Sequence, residues 1–89
     1  MNILSKDTVS SKASVGTIIG TFSHAWASGG TWILDGQAQV FFSTDSSGNL
    51  LWTPLGGVTV VQGFYAIEVS AVFAGYDAED SQFTIQVTA

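Results

Sequence analysis

The sequence predicts an all-β domain, a seven-stranded antiparallel sandwich of two sheets. Three observations carry this. From Phe64 to Ala89, Tyr65, Ile67, Val69 and Ala71 alternate with Ala66, Glu68 and Ser70; then Phe83, Ile85 and Val87 alternate with Thr84, Gln86 and Thr88. A period of two in β-branched and aromatic residues marks two half-buried strands, and a lone hairpin cannot bury the apolar faces it offers. Glycine, serine and aspartate clusters punctuate the rest of the chain roughly every 8–12 residues, the spacing of a sandwich. No stretch longer than a turn carries helical apolar spacing.

Taken in order, residues Met1 to Val9 form the first strand, at a sheet edge. Val15 to Ser23 form the second, with Ile18, Gly20 and Phe22 on one face and Thr17, Ile19 and Thr21 on the other. A glycine inside a strand marks a bulge or the close approach of another backbone, and Gly20 is such a position. Residues 24–30 (His-Ala-Trp-Ala-Ser-Gly-Gly) read as a loop carrying Trp26. Thr31 to Leu34 restart a strand with Trp32 and Leu34 facing inward, and Asp35-Gly36 turn the chain. Gln39 to Ser43 form the next strand, Thr44 to Asn49 a hairpin turn, and Leu50 to Thr53 the return. Pro54 ends that strand because proline cannot donate to the ladder. After Gly56-Gly57, Val58 to Val61 form a short extra strand before the closing hairpin. Trp32, Phe42 and one of Leu51 and Trp52 belong to the core.

Eighty-nine residues make one domain. A chain of this size buries only about 60–65% of its unfolded surface, so its stability is modest without help. There is no cysteine, hence neither a disulfide nor a thiolate metal site. Only nine residues are charged, the net charge is −5, Lys6 and Lys12 are the sole basic side chains, and arginine is absent. Such a surface repels the phosphate backbone, which excludes nucleic acid as a partner. Hydrophobic residues reach 46%, more than one small core can hide; apolar surface in excess marks a partner site. No apolar run approaches a membrane span, and residues 1–20 lack the basic start, apolar core and cleavage site of a signal peptide. With Met1 as the native start, these features fit folding in the cytoplasm or export by another route, in a bacterial or viral setting.

Catalysis needs a nucleophile with a base, a metal, or two tuned carboxylates. His24 is the only histidine, and no serine sits in a nucleophile-elbow context. His24 therefore reads as a loop residue, and Asp35 and Asp45 as turn residues. Nothing in the sequence calls for a cofactor. Asp77, Glu79 and Asp80 cluster in the last loop and read as a solvated hairpin tip.

Five runs resemble the cadherin-like repeat of bacterial and phage surface proteins, an Ig-like Greek-key sandwich. Leu4-Ser5-Lys6-Asp7-Thr8-Val9 and the run from Val15 to Ser23 are similar to its opening strands. Asp45-Ser46-Ser47-Gly48-Asn49-Leu50 resembles its central hairpin, and Tyr65 to Ala71 with Phe83 to Thr88 its closing pair. The family holds calcium at acidic positions; here the matching positions are Ser11, His24 to Trp26, Gly56 to Val58, and Phe73. None supplies the carboxylate oxygens a hard cation requires, so the resemblance implies the fold without the metal.

The resemblance also implies that the second and sixth strands end at one pole, which brings Trp26 towards the loop from Phe73 to Tyr76. Trp26, His24, Phe73 and Tyr76 are the candidate interaction surface. Aromatic side chains there serve as a protein anchor, as a platform for stacking sugars, or as a plug that folds back over the end of the sandwich. The expectation is a non-enzymatic assembly module that docks on copies of itself or on a larger scaffold. A multi-copy virion accessory protein (capsid decoration, or a neck, tail or fibre component) assembled in the host cytoplasm fits best. The alternative is a carbohydrate-binding or adhesion module at a bacterial cell surface.

Overall fold

Two four-stranded sheets face each other in the computed structural model, which describes residues 1–89. The strands are β1 (Asn2–Leu4), β2 (Thr8–Ser10), β3 (Thr17–His24), β4 (Thr31–Leu34), β5 (Phe42–Thr44), β6 (Asn49–Trp52), β7 (Gly63–Val72) and β8 (Glu79–Thr88). One sheet has the order β1-β3-β6-β5, the other β2-β8-β7-β4. A single 3-10 turn, Ala38–Val40, links the two before β5. The all-β sandwich is as expected; the strand count and the wholly antiparallel pairing are not.

The eighth strand arises because the first predicted one is broken. β1 pairs with β3 in one sheet, the chain crosses at Ser5-Lys6-Asp7, and β2 joins the other sheet parallel to β8. The crossing is held by Ser5, whose N–H donates to Thr21 O at 3.1 Å and whose Oγ accepts the Thr21 N–H at 2.9 Å. Gly20 makes room for it. A Cβ there would strike the Lys6 carbonyl oxygen and stand 2.8 Å from Lys6 N. Gly20 also sits in a register shift between β3 and β6, so both readings of this glycine hold. The shift reverses the expected faces. Ile19 is buried with Phe22, whereas Ile18 is 56% exposed.

Gln39 to Ser43 do not form one strand. Val40 N–H turns back to Gln37 O, and the Gln39 amide donates to Leu34 O at 3.0 Å, so the strand begins only at Phe42. Side-chain bonding to a nearby carbonyl has here displaced ladder formation. Val58 to Val61 likewise join no ladder. Gly57, at a φ of 83°, turns the chain, and the Tyr65 hydroxyl donates to Val61 O.

β7 and β8 form the long hairpin that the alternation predicts, paired from Gly63↔Val87 to Ala71↔Glu79. Its inward residues Ile67, Val69, Ala71, Ile85 and Val87 meet Phe42, Leu50 and Trp52 from the opposite sheet, all nearly or fully sealed from solvent. Close packing of this kind leaves little tolerance for a changed volume. The hairpin carries its turn, and β3 its last residue, to the same end of the molecule.

Candidate interaction pole

Three connections meet at one end: residues 25–30 between β3 and β4, residues 45–48 between β5 and β6, and residues 73–78 between β7 and β8. The middle one is built by Asp45. Its Oδ1 accepts the backbone N–H groups of Ser47 and Asn49, each at 2.9 Å, and its Oδ2 the Asn49 amide at 2.9 Å. These bonds stabilise the carboxylate and hold its pKa below the ordinary value, led by the Asn49 side chain. Gly48 then passes its carbonyl to Phe22 N–H at 2.8 Å, tying the turn to β3.

His24 ends β3 as a strand residue, not in the loop, and its side chain is only 2% exposed. The ring meets Trp26 edge-on at 4.5 Å and Phe73 at 5.2 Å. The Trp26 N–H donates to Nδ1 at 3.3 Å, and Nε2 lies 2.9 Å from Glu79 Oε1. The Met1 amino group stands 2.7 Å from Nε2 and 3.3 Å from Glu79 Oε2. The His24 bond, followed by the ammonium, pulls the Glu79 pKa below the carboxylate norm. Both ring nitrogens are thus committed to structure.

Phe73 turns inward and is 8% exposed, with its ring 5.9 Å from that of Trp32. It is a core residue, which removes it from the contact surface expected of it. Trp26 and Tyr76 remain outside, 67% and 60% exposed, in T-shaped contact at 5.4 Å. The four predicted residues therefore share one cluster with a division of labour: Phe73 and His24 form a rigid floor, and Trp26 and Tyr76 the exposed tier. Two contributors were missed. Glu79 fixes the His24 ring, and Gly30 leaves the space that Phe73 fills, since a Cβ at Gly30 would lie 2.8 Å from Phe73 Cδ1 and Cζ. The Gly29-Gly30 pair was the available signal, though it read only as loop composition.

Beside the exposed pair lies a cleft of about 230 Å³ between residues 25–30 and 45–48. Phe22, Trp32 and Phe73 line its depth, and Ser23, Ser28, Ser46 and Ser47 its rim. Asp77, Glu79 and Asp80 do not converge, and no group of three His or acidic side chains anywhere in the chain could hold a metal ion. No helix is long and apolar enough to cross a membrane. The chain matches no protein-family model and no curated protein sequence.

Proposed function

We propose that the protein is a non-enzymatic assembly module that docks on a protein scaffold through the Trp26–Tyr76 tier. The carrying observation is that these two large aromatics stand in solvent on a buried, bonded base. Below them His24 is bonded at both nitrogens and Phe73 is wedged against Trp32. Trp and Tyr held in place before contact lose little rotamer entropy on binding, which is how interface anchors gain their energy.

The strand order, with β1-β3-β6-β5 opposite β2-β8-β7-β4, supports reading the fold as a cadherin-like, Ig-like Greek key. It agrees with the resemblance of the opening and closing strands. In that frame the protein is a multi-copy accessory of a virion, a capsid decoration or a neck, tail or fibre component, at the virion surface. The shortage of basic side chains supports a protein partner over a polyanion.

A second reading, a glycan-binding or adhesion module at a cell surface, is favoured by one observation. The serine-rimmed cleft with an aromatic floor adjoins Trp26, and hydroxyl groups beside a stacking ring suit a neutral sugar. A photo-crosslinker placed at position 26 in the producing cells separates the two. The assembly reading expects covalent capture of one structural protein, with binding to that protein lost in Trp26→Ala. Glycan-array binding that disappears in Trp26→Ala, with no protein captured, would refute it.

A further inference from the structure

β7 is ten residues long and its outer neighbour β4 only four, so half of β7 has no strand beside it. β4 pairs with Val69 to Val72. Asp35 then closes the lane: its N–H donates to Glu68 O at 3.0 Å, and its Oδ1 accepts the Glu68 N–H at 3.2 Å. At Gly36 the chain turns away to the other sheet. Peptide groups along a strand face alternate sides, so those of Phe64 and Ala66 point the same way as those of Glu68. Neither residue has a hydrogen-bond partner on that side. Two N–H and two C=O groups therefore line an open notch of about 460 Å³, walled by Ala38, Val40 and Phe41.

Proteins ordinarily guard such edges by shortness, charge, proline or side-chain caps. The guards are present elsewhere. β1, β2 and β5 are three residues each. The outward carbonyls of β4 are capped, Trp32 O by the Thr44 hydroxyl at 2.9 Å and Leu34 O by the Gln39 amide. The unpaired part of β8 contains Asp80, and Lys6 covers β3 at Gly20. At Phe64 to Ala66 there is none of these, and the 3-10 turn and Phe41 that wall the notch make no hydrogen bond to either residue. No charged residue occurs from Ser46 to Ile67, and Phe64 is 72% exposed, with exposed Val61 preceding it in the same uncharged stretch.

We propose that this notch is a self-association site, in which β7 of a second copy of the chain adds antiparallel to β7 about a two-fold axis at Tyr65. The open pattern is self-complementary. Phe64 placed opposite Ala66 of the partner subunit forms a pair that exchanges both N–H···O bonds, and symmetry repeats it, so every open group is satisfied. Phe64 then packs on the small Ala66 of the partner subunit on the outer face. A second copy is the occupant because its β7 brings the same short run of open groups, centred on Tyr65 and bounded by Asp35, so the two runs fill each other about one axis. In addition, the uncharged patch lets two molecules of net charge −5 meet without close repulsion. The result is β-strand addition that joins two four-stranded sheets into one of eight. The site lies at the far end of β7 from the aromatic tier and stands independently of the docking proposal.

Sedimentation equilibrium from micromolar to millimolar protein tests it, together with amide exchange followed by NMR. The wild type is expected to dimerise, with the Phe64 and Ala66 amides gaining protection as concentration rises and Tyr65 and Ile67, already bonded to β8, unchanged. Ala66→Pro removes one donor, and Phe64→Lys installs an edge charge at an exposed position. Each should raise the dimer Kd by at least about tenfold, ~1.4 kcal/mol, while dilute samples still melt cooperatively. Trp26→Ala should leave the dimer intact. A wild type that stays monomeric throughout overturns the proposal, as does a dimer that survives both β7 variants or dissociates with Trp26→Ala.

Discussion

Gly30→Ala probes the base of the aromatic pole directly. The backbone of Gly30 does not require a positive φ, so alanine itself is acceptable there and would, in open space, stabilise by about 0.4–1 kcal/mol. The space is not open. The new Cβ would strike Phe73 Cε1 and stand 2.8 Å from Cδ1 and Cζ. His24 at 5.2 Å and Trp32 at 5.9 Å confine the Phe73 ring, so relief means displacing it towards the cleft it lines and breaking those contacts. Overpacking a core site costs about 1–3 kcal/mol, and taking the middle of each range the net loss after the entropic gain is about 1.3 kcal/mol. For a domain of this size that lowers Tm by about 5–10 °C. Phe73→Leu narrows the ring to a branched chain that can move aside, so Gly30→Ala in that background should cost little. The double-mutant cycle should return a coupling of about 1 kcal/mol or more. Urea unfolding supplies the free energies, and near-UV circular dichroism reports the packing of the aromatic cluster. A Gly30→Ala protein as stable as the wild type, or effects that simply add, would refute the account of Phe73 as a wedged floor.

Two further predictions concern the titratable groups of the pole. The folded-state pKa of Glu79 lies below its ordinary value of 4.5, so its contribution is complete above that pH and is lost as pH falls through the lower folded value. Thermal melts across the acid range should show this loss in the wild type and a smaller one in Glu79→Gln, the remainder belonging to Asp45, whose pKa is also depressed. Asp45→Ala removes three hydrogen bonds from the 45–48 turn, and thermal melting should show a lower Tm together with faster exchange of the Ser47 and Asn49 amides.

The elements legible in the sequence are those whose pattern is set by one buried face. β7, β8 and β4 alternate cleanly because each has the core on one side and solvent on the other. The misread elements are those decided by another part of the chain. Ile18 and Ile19 exchange faces because the bulge at Gly20 accommodates the Lys6 backbone, a contact between segments fourteen residues apart. The run from Gln39 to Ser43 has strand composition, yet the Gln39 amide finds the Leu34 carbonyl, a 3-10 turn takes Ala38–Val40, and the strand starts only at Phe42. At the pole, the meeting of Trp26 with Tyr76 was implied by the family resemblance, but the burial of Phe73 depends on a missing Cβ at Gly30 that composition alone does not reveal. The open lane of β7 had a readable trace, since Thr31 to Leu34 is too short to accompany the alternating stretch that follows Phe64.

The two proposed contacts constrain each other through the geometry of β7. Its Gly63 end carries the open edge, and its Val72 end leads into the loop that bears Tyr76. At about 3.3 Å per residue, Tyr65 and Val72 are about 23 Å apart along the strand. An antiparallel pairing about Tyr65 therefore sends the two aromatic tiers in opposite directions, about 45 Å or more apart. A dimer so built cannot close both poles on one small epitope. Under the two proposals it would bridge scaffold sites about 45 Å or more apart, somewhat beyond the 40 Å long dimension of a single domain. Bivalent attachment of that kind multiplies modest single-site affinity when the sites match the span and gives nothing when they do not. A regularly spaced scaffold is the partner geometry for which an exposed aromatic tip at one end of β7 and an unguarded edge at the other make joint physical sense.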